Sequence, residues 1–261
     1  MGSSRVALIT GGSRGIGAET ARALAALGWS VAVVDRCSDD PALGYPMGTE
    51  SELHAVAGEC DGLAIVGDVR SSDDMRRAAA DTVARFGGID ATVAAAGVIA
   101  GGEPLWETTD DSWRILFDTN VTGVMHTARA AVPAMLARPE PRSGRFVGVS
   151  SAIALKASPQ LAGYSASKAA VIGLVRGLAA DLADTGVTAN VVQPGTTDTA
   201  VLAPSAEVYG LADASEFTQH QIDHRILEPA EVAATIAWLA SAASSAINGA
   251  VIPVDAGMTA R

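Results

Sequence analysis

Lysine is almost missing from this chain. Only Lys156 and Lys168 occur among 261 residues, and the net charge is −11. So acidic a surface repels phosphate backbones and anionic headgroups, which excludes nucleic acid and an anionic membrane as expected partners. Aromatic residues are scarce at 4%, whereas 49% of the chain is hydrophobic. The core must then be built from Ala, Val, Leu and Ile, which suits helices packed closely on a buried sheet. Cysteine occurs twice, at Cys37 and Cys60. Two thiols exclude a disulfide framework, match no metal-ligand spacing and fit a reducing compartment. No apolar run reaches the roughly 18 residues a membrane-spanning helix needs. The strand-like run Val6-Ala7-Leu8-Ile9 begins almost at once, without a secretory signal before it, so a cytoplasmic location is expected.

What is present is a regular alternation of short apolar runs and helical stretches. Strands are expected at Val6–Ile9, Val31–Val34, Leu63–Gly67, Ala91–Ala95, Arg145–Val149, Thr188–Val192 and Ala250–Val254. Helices are expected at Gly15–Ala26, Ser51–Glu59, Ser72–Phe86, Thr109–Ala137, Leu161–Ala183 and Pro229–Ala240. This pattern predicts one α/β domain over residues 1–261, a Rossmann-like doubly wound sheet of seven parallel strands with helices on both faces. Two segments fall outside the alternation: the Pro/Gly/Asp-rich stretch 36–49 and the mixed stretch 196–227. Long loops inside a compact α/β domain are usually functional. The first is read as a loop near a cofactor and the second as a substrate lid.

One of the two lysines stands four residues after one of only three tyrosines, in Tyr164-Ser165-Ala166-Ser167-Lys168. At this composition a Tyr-x-x-x-Lys pair arises in about two per cent of shuffled chains. Four residues is about one helical turn, so the two side chains share a face. An ammonium beside a phenol favours the phenolate, which lets a tyrosine act as acid and base near neutral pH.

The first strand runs into Thr10-Gly11-Gly12-Ser13-Arg14-Gly15-Ile16-Gly17, and a helix follows. Gly11, Gly15 and Gly17 let the backbone turn sharply and approach a pyrophosphate, and the helix N-terminus offers it N–H groups and a positive dipole end. Ser13, Arg14 and Ile16 lie within the same turn. Asp35, at the end of the second strand, is placed to accept hydrogen bonds from the adenosine ribose and to repel a 2′-phosphate, which favours NAD(H). Arg14 and Arg36 pull the other way, since either could pair with that phosphate; the direct repulsion by Asp35 weighs more. Asp68 and Val69 close the third strand, where an adenine edge would lie. Ala94, Ala95, Ala96 and Gly97 close the fourth, and their small size would let a cofactor lie flat against the sheet.

With these pieces the whole chain resembles the short-chain dehydrogenase/reductase family in its single-domain form. The resemblance assigns the catalytic set to Asn120, Ser151, Tyr164 and Lys168, and the nicotinamide end to Pro194 and Gly195, with Thr197 and Thr199 at the carboxamide. It implies that Tyr164 exchanges the proton, that Ser151 holds the substrate oxygen, that Lys168 also holds the nicotinamide ribose, and that Asn120 holds a water. The family's usual Asn-Asn-Ala-Gly after the fourth strand is replaced here by Ala94-Ala95-Ala96-Gly97, a change that cofactor binding is expected to survive. A finer resemblance, carried by Tyr45-Pro46-Met47-Gly48-Thr49 and the following Glu50-Ser51-Glu52-Leu53, is to the mycofactocin-associated, carveol-dehydrogenase-like branch. That branch implies a loop covering the NAD so that it does not exchange freely, with reoxidation by a mycofactocin-type carrier. A homotetramer is also implied.

The substrate pocket is expected from Gly97–Trp106, Ala152–Leu161 and the lid, including Ile99, Trp106, Ile153, Leu155, Leu161, Val201, Leu202, Val208, Tyr209 and Phe217. Its apolar lining points to a hydrophobic secondary alcohol or its ketone. Lys156 reads as a solvated cation, and Tyr45 and Tyr209 as loop packing. The four histidines (His54, His126, His220 and His224) form no ligand-like cluster, so no metal is expected; His220 and His224 suit the pocket mouth. Two rivals stand beside this reading: a freely exchanging NAD(P)H-dependent ketone or 3-oxoacyl reductase, and a nucleotide-sensing protein without catalysis. The intact Ser151, Tyr164 and Lys168 set speaks against the second.

Overall fold

The computed structural model of the protein describes residues 4–156, 158–203, 206 and 214–260. Seven parallel strands form one sheet in the order β3-β2-β1-β4-β5-β6-β7. They are β1 (Val6–Thr10), β2 (Ser30–Asp35), β3 (Leu63–Val66), β4 (Ala91–Ala94), β5 (Arg145–Val149), β6 (Thr188–Pro194) and β7 (Val251–Val254). The order reverses between β1 and β4, and at such a switch point the strand ends open a crevice for ligands. β1, β4 and β5 are buried at every position, which is why they read as continuous apolar runs.

The helices follow from their caps. α1 (Gly15–Ala26) starts directly from the glycine turn. In α2 (Glu50–Glu59) the Thr49 side chain accepts from the Glu52 N–H, while Glu52 accepts from the Thr49 N–H, a reciprocal capping box. α3 (Ser72–Phe86) is capped by Ser71 and stops at Gly87, whose φ of 85° suits the left-handed turn that ends a helix. Pro229 opens the last helix, α7 (Pro229–Ala240). The helices fill two apolar layers: α3, α5 (Gly123–Leu136) and α6 (Ala162–Asp181) pack on one face of the sheet, α1, α2 and α7 on the other.

One expectation fails. Thr109–Ala137 is not a single α-helix: α4 (Asp110–Phe117) and α5 are separated by a π-turn over Asp118–Thr122, with Asn120 buried inside it. Such turns insert one residue into the helical repeat and re-aim a side chain, often at a functional site.

Candidate active site

A cleft runs across the carboxyl ends of the strands and takes in the glycine turn, Asp35, Asp68, Val69, Ala95 to Ile99, Ser151, Tyr164, Lys168, Pro194, Gly195, Thr197 and Thr199. Its floor tolerates no added bulk. A Cβ on Gly11 would lie 2.7 Å from the Ala96 nitrogen, and one on Gly17 would collide with the Gly11 carbonyl. Gly15, at φ +58°, would meet the Thr199 side chain at 3.2 Å, so the segment after β6 reaches across the sheet to the glycine turn. Ser13 is buried and does not line the cleft directly; its N–H and Oγ–H both donate to Asp35, at 3.1 and 2.6 Å. The Asp35 carboxylate is thereby fixed at the end of β2.

Both arginines that could have held a 2′-phosphate line the cleft and already have partners there. Arg14 donates to the Pro46 carbonyl at 2.7 Å. Arg36 pairs with Asp40 at 2.6 Å and approaches Asp68 at 3.5 Å, and Arg70 pairs with the same two carboxylates at 2.9 and 2.7 Å. Burial would raise the Asp40 carboxyl, but hydrogen bonds from the Ala42 N–H, Arg36 and Arg70 outweigh it and hold it below the usual carboxylate range. The balance at Asp68 is the same, with Arg70 as its principal partner.

These contacts also show where the loop 36–49 goes. It crosses the cleft instead of standing out from the surface. Gly48 lies against Ser13 so closely that a Cβ there would strike the Ser13 hydroxyl. The Tyr45 hydroxyl accepts from the Ile99 N–H at 2.9 Å and donates to the Ile99 carbonyl at 3.1 Å. Leu43 packs with Val98, Ile115 and Leu116.

At the other end of the cleft Lys168, one turn after Tyr164 on α6, is buried and donates to the Val149 carbonyl at 3.1 Å. Its ammonium lies 5.9 Å from the centre of the Tyr164 ring. Burial lowers its pKa to about 8, so it is still mainly charged at neutral pH. A Cβ on Gly97 would come within 3.1 Å of this ammonium and 3.3 Å of the Asn120 Oδ1. Ser151 follows β5 and caps a short turn, accepting weakly from the Ile153 N–H at 3.4 Å. Asn120 accepts from the Val98 N–H and donates to the Val98 carbonyl and to Ser167. Both amide hydrogens are in use, so this side chain braces the exit of β4 against α6.

Ile99, Ile153, Leu161, Val201 and Leu202 line the cleft as expected, and so does Phe217. Trp106 does not. It is 83% exposed on a short turn, Leu105–Glu107, and is not among the residues that line the cleft, nor is the 65%-exposed Leu155. Val208 and Tyr209 lie outside the described residues. Several lining residues were missed or misjudged. Lys156 lines the cleft and donates to the Met258 carbonyl at 3.4 Å, where a solvated cation was expected. Tyr45 and Met258 also line it. Nothing in the spacing of these residues signals their position, which is set by contacts distant in sequence. Of the histidines, His220 reaches the cleft, and no cluster of metal ligands occurs among the described residues.

A glycine turn at the head of a parallel sheet, with Ser151, Tyr164 and Lys168 across the same cleft, defines an oxidoreductase that works with a dinucleotide. The chain belongs to the short-chain dehydrogenase/reductase family: the family model described as enoyl-(acyl carrier protein) reductase matches residues 11–259. It is 35% identical over 265 residues to an uncharacterized NAD-dependent oxidoreductase of Mycobacterium tuberculosis, covering 97% of this chain and 95% of that one. Likewise it is 35% identical over 274 residues to the (-)-trans-carveol dehydrogenase of Rhodococcus erythropolis, covering 98% and 97%. Among solved structures, carveol dehydrogenase from Mycobacterium avium in complex with NAD superposes with a TM-score of 0.92 at 30% identity, over 99% of both chains.

Proposed function

We propose that the protein is an NAD-dependent dehydrogenase that interconverts a hydrophobic secondary alcohol and its ketone while its NAD stays bound beneath the loop 36–49. The fit of the dinucleotide rests on the glycine floor that admits no Cβ, on Asp35 held at the end of β2, and on Arg36 already paired with Asp40. Gly11 to Gly17 would hold the pyrophosphate, Asp35 the adenosine ribose, and Lys168 the nicotinamide ribose, with Pro194, Gly195, Thr197 and Thr199 around the carboxamide.

Bound NAD supplies the two-electron chemistry, taking or giving a hydride. The chain handles the proton. In oxidation the Tyr164 phenolate takes the proton of the substrate hydroxyl, and in reduction the Tyr164 phenol returns it to the carbonyl oxygen. The Lys168 ammonium favours the phenolate and so brings it within reach near neutral pH. Ser151 hydrogen-bonds the substrate oxygen and holds it near Tyr164. Asn120 fixes the strand exit on which Val98 and Ile99 sit. Ile99, Ile153, Leu161 and Val201 exclude water around the reacting carbon.

The observation that carries the retained-cofactor reading is the seating of the loop at both ends of the cleft: Arg14 to Pro46 and Gly48 on Ser13 at one end, Tyr45 to Ile99 at the other. Against it stands the freely exchanging reductase, for which such fastening has no purpose. A covered NAD needs an external electron acceptor, and the resemblance names a mycofactocin-type carrier; a cytoplasmic homotetramer belongs to the same reading. The test is the nucleotide content of freshly purified protein before and after long dialysis. About one NAD(H) per chain surviving dialysis supports the proposal. Nucleotide that washes out, or that proves to be NADP(H), sinks it.

A further inference from the structure

Tyr45 belongs to the cofactor loop, yet it reaches the substrate end of the cleft. Its hydroxyl is held twice by the peptide group of Ile99, as acceptor at 2.9 Å and donor at 3.1 Å. Its ring packs on Ile99, Ile153 and Leu161, the apolar group against which Tyr164 and Val201 also rest. The same ring touches the group formed by Leu43, Val98, Ile115 and Leu116, which carries the loop itself. One side chain therefore forms part of the cofactor cover and part of the substrate wall.

We propose that Tyr45 is a substrate-positioning residue: its ring sets the width of the pocket beside Tyr164, and its hydroxyl fastens that wall to the cover over the cofactor, so that covering the cofactor and shaping the pocket are one structural event. This rests on the proposed function of the cleft. The phenol takes no part in proton exchange, since burial pushes its pKa up to about 12 and keeps it protonated. The two contributions are separable. The hydroxyl holds Ile99, and losing it leaves a partly buried N–H and a carbonyl without their partner. The ring occupies volume against Ile153 and Leu161, and losing it widens the pocket without touching Ser151, Tyr164 or Lys168.

The experiment compares the wild type with Tyr45→Phe and Tyr45→Ala, after circular dichroism shows that each is folded; Tyr45→Leu replaces the alanine variant if that one is not. The first readout is the rate at which excess NAD displaces bound NADH, followed by its fluorescence. Tyr45→Phe should release NADH about tenfold faster. The second is calorimetric affinity for cyclic ketones of increasing size, from a five-membered ring to a ten-carbon monocyclic ketone, in saturating NAD. Tyr45→Phe should keep the wild-type order, whereas Tyr45→Ala should shift preference toward the large ketone by about tenfold. A residue that merely supports the fold would lower all affinities together. Unchanged release in Tyr45→Phe, or an unchanged affinity ratio in Tyr45→Ala, overturns the proposal. If the wild type binds no ketone, the proposed substrate class fails, and the release rate alone then decides the role of Tyr45.

Discussion

The buried Lys168 ammonium lies 3.1 Å from the Val149 carbonyl, and none of the ion pairs among the described residues involves it. A cation so placed destabilises the nucleotide-free fold and serves the chemistry instead. The folded pKa of about 8 lies below the model-compound value of 10.5. Between these values the unfolded chain binds more protons than the folded one, so this contribution to stability rises with pH. The penalty is full below pH 8 and fades by pH 10.5, amounting to about 3 kcal/mol at one unit per 1.36 kcal/mol. In protein freed of nucleotide, Lys168→Met should therefore melt above the wild type at pH 7, and the gap should close by pH 10.5. The same variant should be inactive. Denaturant melts across that pH range decide it; a variant less stable than the wild type at pH 7 contradicts the account.

Removing the Tyr164 hydroxyl isolates the proton-transfer step. Tyr164→Phe should lower turnover of any secondary alcohol by about 10²–10⁴-fold, the usual worth of a positioned acid or base. The ring and its packing beside Ile153 and Leu161 remain, so the nucleotide content of the purified variant should match the wild type. Activity that survives the substitution would return the catalytic role to another group, whereas a wild type without turnover would revive the non-catalytic rival.

Much of this was readable in the sequence because local chemistry decides it. The capping box at Thr49, the Ser71 and Gly87 ends of α3, and Pro229 at the start of α7 fix helix boundaries with neighbouring residues alone. The seven strands are legible for a similar reason, since a parallel sheet buried on both faces leaves apolar runs. The break at Asn120 is not legible: Asp118–Thr122 holds no glycine or proline to mark it, and only contacts to Val98 and Ser167 explain the extra residue. Trp106 was misplaced because an aromatic residue shortly after a strand end looks like a pocket wall, whereas Leu105 and Trp106 are 57% and 83% exposed. Composition marks 36–49 as a loop. Its direction depends on Tyr45 meeting Ile99, 54 positions away, and no local pattern encodes that.

The arginine pairing bears on cofactor choice. In short, replacing Asp35 alone removes a repulsion without supplying a partner, because Arg36 stays with Asp40 and Asp68. Asp35→Ser should weaken NAD binding and gain little affinity for NADP. Adding Asp40→Ala releases the closer of the two carboxylates from Arg36 and should improve NADP affinity by about tenfold over the single variant, a step of about 1.4 kcal/mol. Calorimetric titration with both nucleotides checks this. Equal NADP affinity in the single and double variants would mean that Arg36 is not restrained by Asp40.

The glycine floor makes the sharpest steric prediction. Gly17 sits in the first turn of α1, where a Cβ would strike the Gly11 carbonyl, and Gly11 in turn backs onto Ala96 at the end of β4. Neither neighbour is the flexible end of a side chain, so the clash can be relieved only by moving backbone. Gly17→Ala should therefore displace the glycine turn, abolish nucleotide retention and destabilise the fold by about 1–3 kcal/mol, within the usual range for overpacking. Gly58 provides the control. It lies in α2 with open space where its Cβ would be, and Gly58→Ala should be neutral or stabilising by up to about 1 kcal/mol. Denaturant unfolding of both variants, with nucleotide counted after denaturation, separates the two sites. If Gly17→Ala kept its nucleotide and its stability, the close approach of the glycine turn to α1 would not be what shapes the cofactor floor.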